Sequence, residues 1–307
     1  MKKILIGLFL TTSLISFGIE KEGYVDSKIK ENMTKNDKLS FLIVHFGTTF
    51  DDTRVKTIDA LNNDAKNKFS DFKVVEAYTS RIIMRRLKSR NIIKDNPAEA
   101  IDKLEKEGYT YLIVQPSNII PGIEFKTLEK QIELYKTKFK DIRIGAPLLG
   151  ENENYKKVLT ILKKDIGDLE DNEGVVLVGH GTRDSANSTY ACVDYTAKDL
   201  GLPFYVGTIE GYPTIDNVIK NLKKDNIKKV ILTPFMFVAG DHANNDIAVD
   251  WKEKLEENGF IVINRVKGLG EIKEIRELMI ENANFMITHK KEDMISKKLF
   301  YSKQKDK

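Results

Sequence analysis

The stretch Val175-Val176-Leu177-Val178-Gly179-His180-Gly181-Thr182-Arg183 decides the fold of this chain. Its unbroken apolar run reads as a strand buried on both faces, and the glycines that follow end it in a turn. Strands of this kind belong to parallel sheets covered by helices. Downstream, the strands Phe204–Ile209, Lys229–Phe237 and Ile261–Val266 alternate with predicted helices Asn187–Leu200, Ile215–Lys223 and Asn244–Asn258, and a last helix covers Glu271–Asn284.

Upstream the same alternation is already present. Strands are expected at Phe41–Phe46, Phe72–Tyr78, Tyr111–Gln115 and Ile142–Ala146, with helices Thr53–Phe69, Arg81–Ser89, Pro97–Glu107, Phe125–Phe139 and Tyr155–Ile166 between and after them. Asn96-Pro97 with Glu99 is a helix start: the asparagine caps, the proline suits the first turn, and the glutamate reaches back. The two halves also align with each other. LIVHFGTT (42–49) lies over VLVGHGTR (176–183), and QPSNIIPGIEF (115–125) over TPFMFVAGDHA (233–243). The fold class is therefore α/β, with two similar doubly wound lobes of parallel sheet, at 38–150 and 151–286.

Lys2 and Lys3, the apolar run Ile4–Phe17 and the small residues Ser16 and Gly18 read as a secretory signal peptide over 1–18. The run is shorter than the ~20 residues a spanning helix needs, so no permanent membrane span is expected once the signal is removed. An exported, periplasmic location follows as an expectation. Residues 19–37 read as a linker and 287–307 as a basic tail. Lys and Arg number 50 against 46 Asp and Glu, and the tail accounts for the excess, so no nucleic-acid-binding stripe is present. The single cysteine, Cys192, excludes an internal disulfide and is expected to be a buried thiol in its helix. A homo-oligomer is compatible with the sequence.

In open α/β sheets ligands bind beyond the carboxyl ends of the strands. Two of the four histidines, His180 and His242, fall at such ends, and Glu210 follows the strand FYVGTI between them. Two imidazoles and a carboxylate suit a divalent cation such as cobalt, nickel, iron or zinc, with coordination positions left open. Each residue also has a plainer reading: a turn histidine, or a loop acid in a salt bridge. His45 falls one residue out of step with His180, opposite Gly179, so its side chain is expected on the other face of its strand. The first-half positions matching the three candidates are Phe46, Thr79 and Glu124. His289 is expected to be a solvated residue of the tail.

The segments GHGTRDSANSTYACVDY, VGTIEGYPTID and MFVAGDHANNDIAVD, with FGTTFDDTR and YTSRIIMRRL in the first half, resemble the class II anaerobic sirohydrochlorin cobaltochelatases of the CbiK type. The likeness runs over about residues 39–284. It implies an active cleft between the lobes, Co²⁺ as the metal substrate held by His180, Glu210 and His242, and His180 as the catalytic base that takes a pyrrole proton, with Glu210 either assisting it or only holding the cation. Fe²⁺ and Ni²⁺ suit the same donors, and no organic cofactor is expected. The tetrapyrrole carries many carboxylates, for which Arg54 and Arg183 are candidate clamps, with pairing to Asp51, Asp52 or Asp184 as the alternative. Two features depart from the family pattern: Asn118 stands where a histidine is common, and the signal peptide sets the chain apart from cytoplasmic members. A tetrapyrrole, haem or metal carrier using the same cleft without turnover is the competing function.

Overall fold

Alternate residues of each central strand enter different cores. In β2 (Leu39–His45), Phe41 and Ile43 join one apolar cluster while Leu42 and Val44 join another. In β6 (Glu173–Gly181), Val175 and Leu177 join the same cluster as Phe41 and Ile43, and Val176 and Val178 pack elsewhere. Side chains two residues apart share a face, so this split is the signature of sheets buried on both sides. One cluster is common to both halves, and each half keeps a second cluster on its far face.

The computed structural model describes residues 23–303, so the expected signal segment 1–18 lies outside the described residues. β1 (Tyr24–Asp26) precedes the first lobe, whose sheet comprises β2, β3 (Lys73–Tyr78), β4 (Tyr111–Pro116) and β5 (Asp141–Ile144) in the order β3-β2-β4-β5. The second sheet comprises β6, β7 (Phe204–Glu210), β8 (Lys229–Pro234) and β9 (Ile261–Asn264) in the order β7-β6-β8-β9. All pairings within these sheets are parallel. The duplication read from sequence thus has a structural counterpart. Val44 pairs with Pro116 as Val178 pairs with Pro234, and the Ser117 and Phe235 amides donate to the Val44 and Val178 carbonyls.

Helix ends differ in instructive ways. The capping box at Asn96 and Glu99 is present as expected. The helix expected over Thr53–Phe69 is built from an α-turn Asp51–Arg54, a π-helical segment Val55–Asp59 and an α-helix Ala60–Lys68. The helix expected over Asn244–Asn258 likewise begins with a π-helical segment, Ala243–Trp251, before the α-helix Lys252–Glu257. Cys192 is exposed, contrary to expectation. Tyr190, Val193 and Ala197 turn the other face of helix Ser188–Asp199 inward, which leaves Cys192 outside.

The described segments that flank the two lobes are also more organised than a linker and a tail. β1 pairs antiparallel with β10 (His289–Lys291), and Ile29 of the short helix Ile29–Asn32 is fully buried. His289 is therefore not a solvated tail residue. It is half-buried and its ring stacks on Phe285 at 4.0 Å. Arg143, 4% exposed, ties these pieces together: its guanidinium donates to the carbonyls of Ser27, Met286 and His289. The helix Lys273–Phe285 comes from the second half yet packs on β4 and on helix Ala60–Lys68 of the first, with Arg276 bonded to Asp64.

Candidate metal site at the strand ends

β6 runs through His180 and ends at Gly181, whose φ of +84° turns the chain away from the sheet. That conformation favours glycine. His180 Nδ1 lies 3.0 Å from the Gly181 carbonyl oxygen. A carbonyl only accepts, so Nδ1 carries the proton and Nε2 keeps its lone pair.

His242 immediately precedes the π-helical segment Ala243–Trp251. The turn before it is pinned, because Asn244 Nδ2 donates to the Ala239 and Gly240 carbonyls at 3.3 and 2.8 Å. His242 Nδ1 lies 2.7 Å from Asp246 Oδ2. A carboxylate at that distance again places the proton on Nδ1 and frees Nε2. The two imidazole rings meet edge to face, with centroids 4.7 Å apart at 85°. The end of β6 and the segment that follows β8 thus bring His180 and His242 together.

Glu210 is the last residue of β7 and is exposed, with Gly181 as its register partner on β6. Its carboxylate has no hydrogen-bond or ion-pair partner among the described residues. Among those residues, no group of three or more His, Cys, Asp or Glu side chains is arranged to hold a metal ion. The structure brings two of the three candidates into contact and leaves the third at the neighbouring strand end.

The first half does not repeat this arrangement. Phe46 occupies the place of His180, and the register corrects one correspondence. His45 pairs with Tyr78 while Gly179 pairs with Thr208, so Ser80, not Thr79, matches Glu210. Ser80 instead caps the helix Arg81–Lys88 by accepting from the Ile83 amide. His45 points inward and is 1% exposed, with Ser117 Oγ at 3.0 Å from Nδ1 and Asn62 Oδ1 at 3.0 Å from Nε2. Burial pushes its pKa below that of a free imidazole.

The lobes meet beside the histidine pair. Thr53 Oγ1 donates to the Ala239 carbonyl at 3.2 Å, and a cleft of about 510 Å³ opens between Phe50–Thr53 on one side and Ala239, Asn244 and Val266 on the other. Lys126 of the first half pairs with Asp184 of the second at 2.6 Å. The two arginines proposed from sequence have different fates. Arg54 is bonded to Asp51 at 2.6 Å and lies 3.6 Å from Asp59, with 15% of its side chain exposed, so its charge is already spent internally. Arg183 is exposed and has no partner among the described residues. Asp246 escaped the sequence reading, although its spacing of four from His242 on a helix is the signal that would have found it.

Two like parallel lobes joined at their strand ends, with a histidine pair beside the junction, define the chelatase-type α/β architecture. SirB from Bacillus subtilis with Fe³⁺ shares this fold at a TM-score of 0.60 and 17% identity, over 80% of this chain and 94% of that one. The family model described as cobalt chelatase (CbiK) matches residues 39–288, and the chain belongs to that family. It is 34% identical over 248 residues to a sirohydrochlorin cobaltochelatase of Salmonella typhimurium, covering 79% of this chain and 94% of the relative. It is 28% identical over 267 residues to the sirohydrochlorin cobaltochelatase CbiKC of Nitratidesulfovibrio vulgaris, covering 85% and 94%. β1 and β10 fall outside the matched region.

Proposed function

We propose that this chain inserts Co²⁺ into sirohydrochlorin, releasing the two pyrrole N–H protons as the metal enters. The observation that carries this reading is the His180–His242 pair at 4.7 Å in a member of the cobalt chelatase family. With both Nδ1 atoms committed as donors, the two Nε2 lone pairs are available to a borderline divalent cation. Glu210, unpaired at the next strand end, supplies the third donor and the negative charge. Three protein donors leave positions open for the pyrrole nitrogens, which favours transfer over storage. As the metal passes from His180 to the pyrrole nitrogens, the Nε2 lone pair it vacates accepts a proton from the macrocycle. Fe²⁺ and Ni²⁺ are chemically suited to the same donors.

The chain is exported in this reading, on the strength of Lys2, Lys3 and the apolar run Ile4–Phe17. Among the described residues no helix is long and apolar enough to cross a membrane. Cell fractionation with an antibody to the folded body checks the location; recovery of all the protein with cytoplasmic markers would reject it.

The activity test is absorbance of sirohydrochlorin with Co²⁺ and catalytic amounts of protein. Native protein accelerates metallation, and His180→Ala and His242→Ala each lower the rate by about 100-fold or more. Buffer-level rates with the native chain would overturn the proposal. A stoichiometric spectral change without turnover would replace it with the carrier.

A further inference from the structure

We infer that Asp246 is a positioning residue that fixes the ring of His242 for metal capture. This inference rests on the reading of His242 as a metal ligand. Asp246 Oδ2 accepts from His242 Nδ1 at 2.7 Å, so the carboxylate fixes both the tautomer and the rotation of the imidazole. The opposite nitrogen is left unprotonated, on a ring whose neighbour 4.7 Å away is His180.

The local backbone supports a fixed role for this pair. Asp246 sits in the first turn of the π-helical segment Ala243–Trp251, where the positive end of the helix favours a carboxylate. Neighbouring bonds hold the same turn: Asn245 Nδ2 donates to Asp241 Oδ1 at 3.0 Å, and Asn244 holds the Ala239 and Gly240 carbonyls. Ile247 and Trp251, both buried, anchor the other face of the segment. The ring and its carboxylate therefore ride on one anchored element.

A surface ion pair that served only the fold would look similar. The two differ in what truncation does. The side chains of His242 and Asp246 are 50% and 36% exposed, and exposed pairs add little to fold stability. Removing Asp246 as a structural pair would therefore leave metal binding untouched.

The experiment measures Co²⁺ binding to the full chain without tetrapyrrole, by titration calorimetry and by the visible d–d spectrum of the bound ion. Asp246→Ala weakens Co²⁺ binding by about 10- to 100-fold with an unchanged unfolding midpoint. Asp246→Asn recovers most of the affinity, because the amide oxygen still accepts from Nδ1. Native affinity in Asp246→Ala overturns the inference. Asp246→Asn as weak as Asp246→Ala, with an altered d–d spectrum in both, also overturns it, because Asp246 would then be a direct ligand. Failure of the parent reading looks different: His242→Ala and His180→Ala would then bind Co²⁺ as the native chain does.

Discussion

Gly181 and Glu210 face each other across the β6–β7 pair so closely that a β-carbon on Gly181 would overlap the Glu210 carbonyl oxygen. The glycine also has φ +84°, so both sterics and backbone conformation exclude a side chain there. Because His180 precedes Gly181, this contact sets how closely the ends of β6 and β7, which carry two of the proposed metal donors, approach each other. Gly181→Ala is expected to lower stability by about 1–3 kcal/mol, read as a shift in the urea midpoint. Co²⁺ insertion should fall by a larger factor than the lost stability explains, because the β7 end must move. A variant with native insertion rate would show that the strand ends are not held at a working distance.

His45 makes acid stability a second test. Its folded-state pKa is lowered, first by burial, with the bond to Asn62 opposing that shift. Above a pH of about 6.5 the ring is neutral in both folded and unfolded chains and contributes no pH dependence. As pH falls below that value the unfolded chain takes up a proton that the folded one resists, and stability drops by up to about 1.4 kcal/mol per pH unit. The loss ends only when pH passes the lowered folded value. His45→Gln, measured by urea midpoints between pH 7 and pH 5, should flatten this slope. An unchanged slope would assign the acid sensitivity to other groups.

Arg143 predicts how firmly the β1–β10 ribbon belongs to the folded body. Besides its three carbonyl acceptors it forks onto Asp141, with Nε and one terminal nitrogen at 2.8 and 2.6 Å. Arg143→Ala strands these acceptors with Asp141 and is expected to cost about 3–5 kcal/mol. Arg143→Lys recovers little, since one ammonium cannot reproduce the fork. Hydrogen exchange should speed up first at Tyr24–Asp26 and His289–Lys291. Uniform exchange across the body would instead mean that the terminal ribbon stands without Arg143.

What the sequence made legible follows from range. The central strands announce themselves because Val175–Val178 and Phe41–Val44 are apolar on both faces, and His180 and His242 stand out because strand ends are where such runs stop. The inward turn of His45 follows from a one-residue offset and the period of two. The β1–β10 ribbon left no comparable mark: it joins two strands far apart in sequence, each of three residues and too short to show an apolar alternation. The match of Ser80 rather than Thr79 to Glu210 depends on inter-strand register, which no local pattern encodes. Asp246 was legible as a spacing but not as a contact, since its role depends on which way the His242 ring faces.

The two arginines offer the sharpest separation of binding from folding. Arg54 neutralises Asp51 and Asp59 within its own turn and is mostly covered, whereas Arg183 follows the β6 end with its charge free. A substrate carboxylate would have to compete with two aspartates for Arg54, but meets no competitor at Arg183. A charge-assisted bond contributes about 1.5–3 kcal/mol, so losing one raises KM by roughly 10-fold or more. Arg183→Ala is therefore expected to raise KM for sirohydrochlorin by about that factor, with the Co²⁺ dissociation constant and the unfolding midpoint unchanged. Arg54→Ala should do the reverse, lowering the midpoint while leaving KM within about twofold, because a loss near 0.4 kcal/mol is all that twofold represents. Steady-state kinetics with the tetrapyrrole varied at saturating Co²⁺ decides between them. A large KM effect from Arg54→Ala and none from Arg183→Ala would place the carboxylate clamp on the first lobe instead of the second.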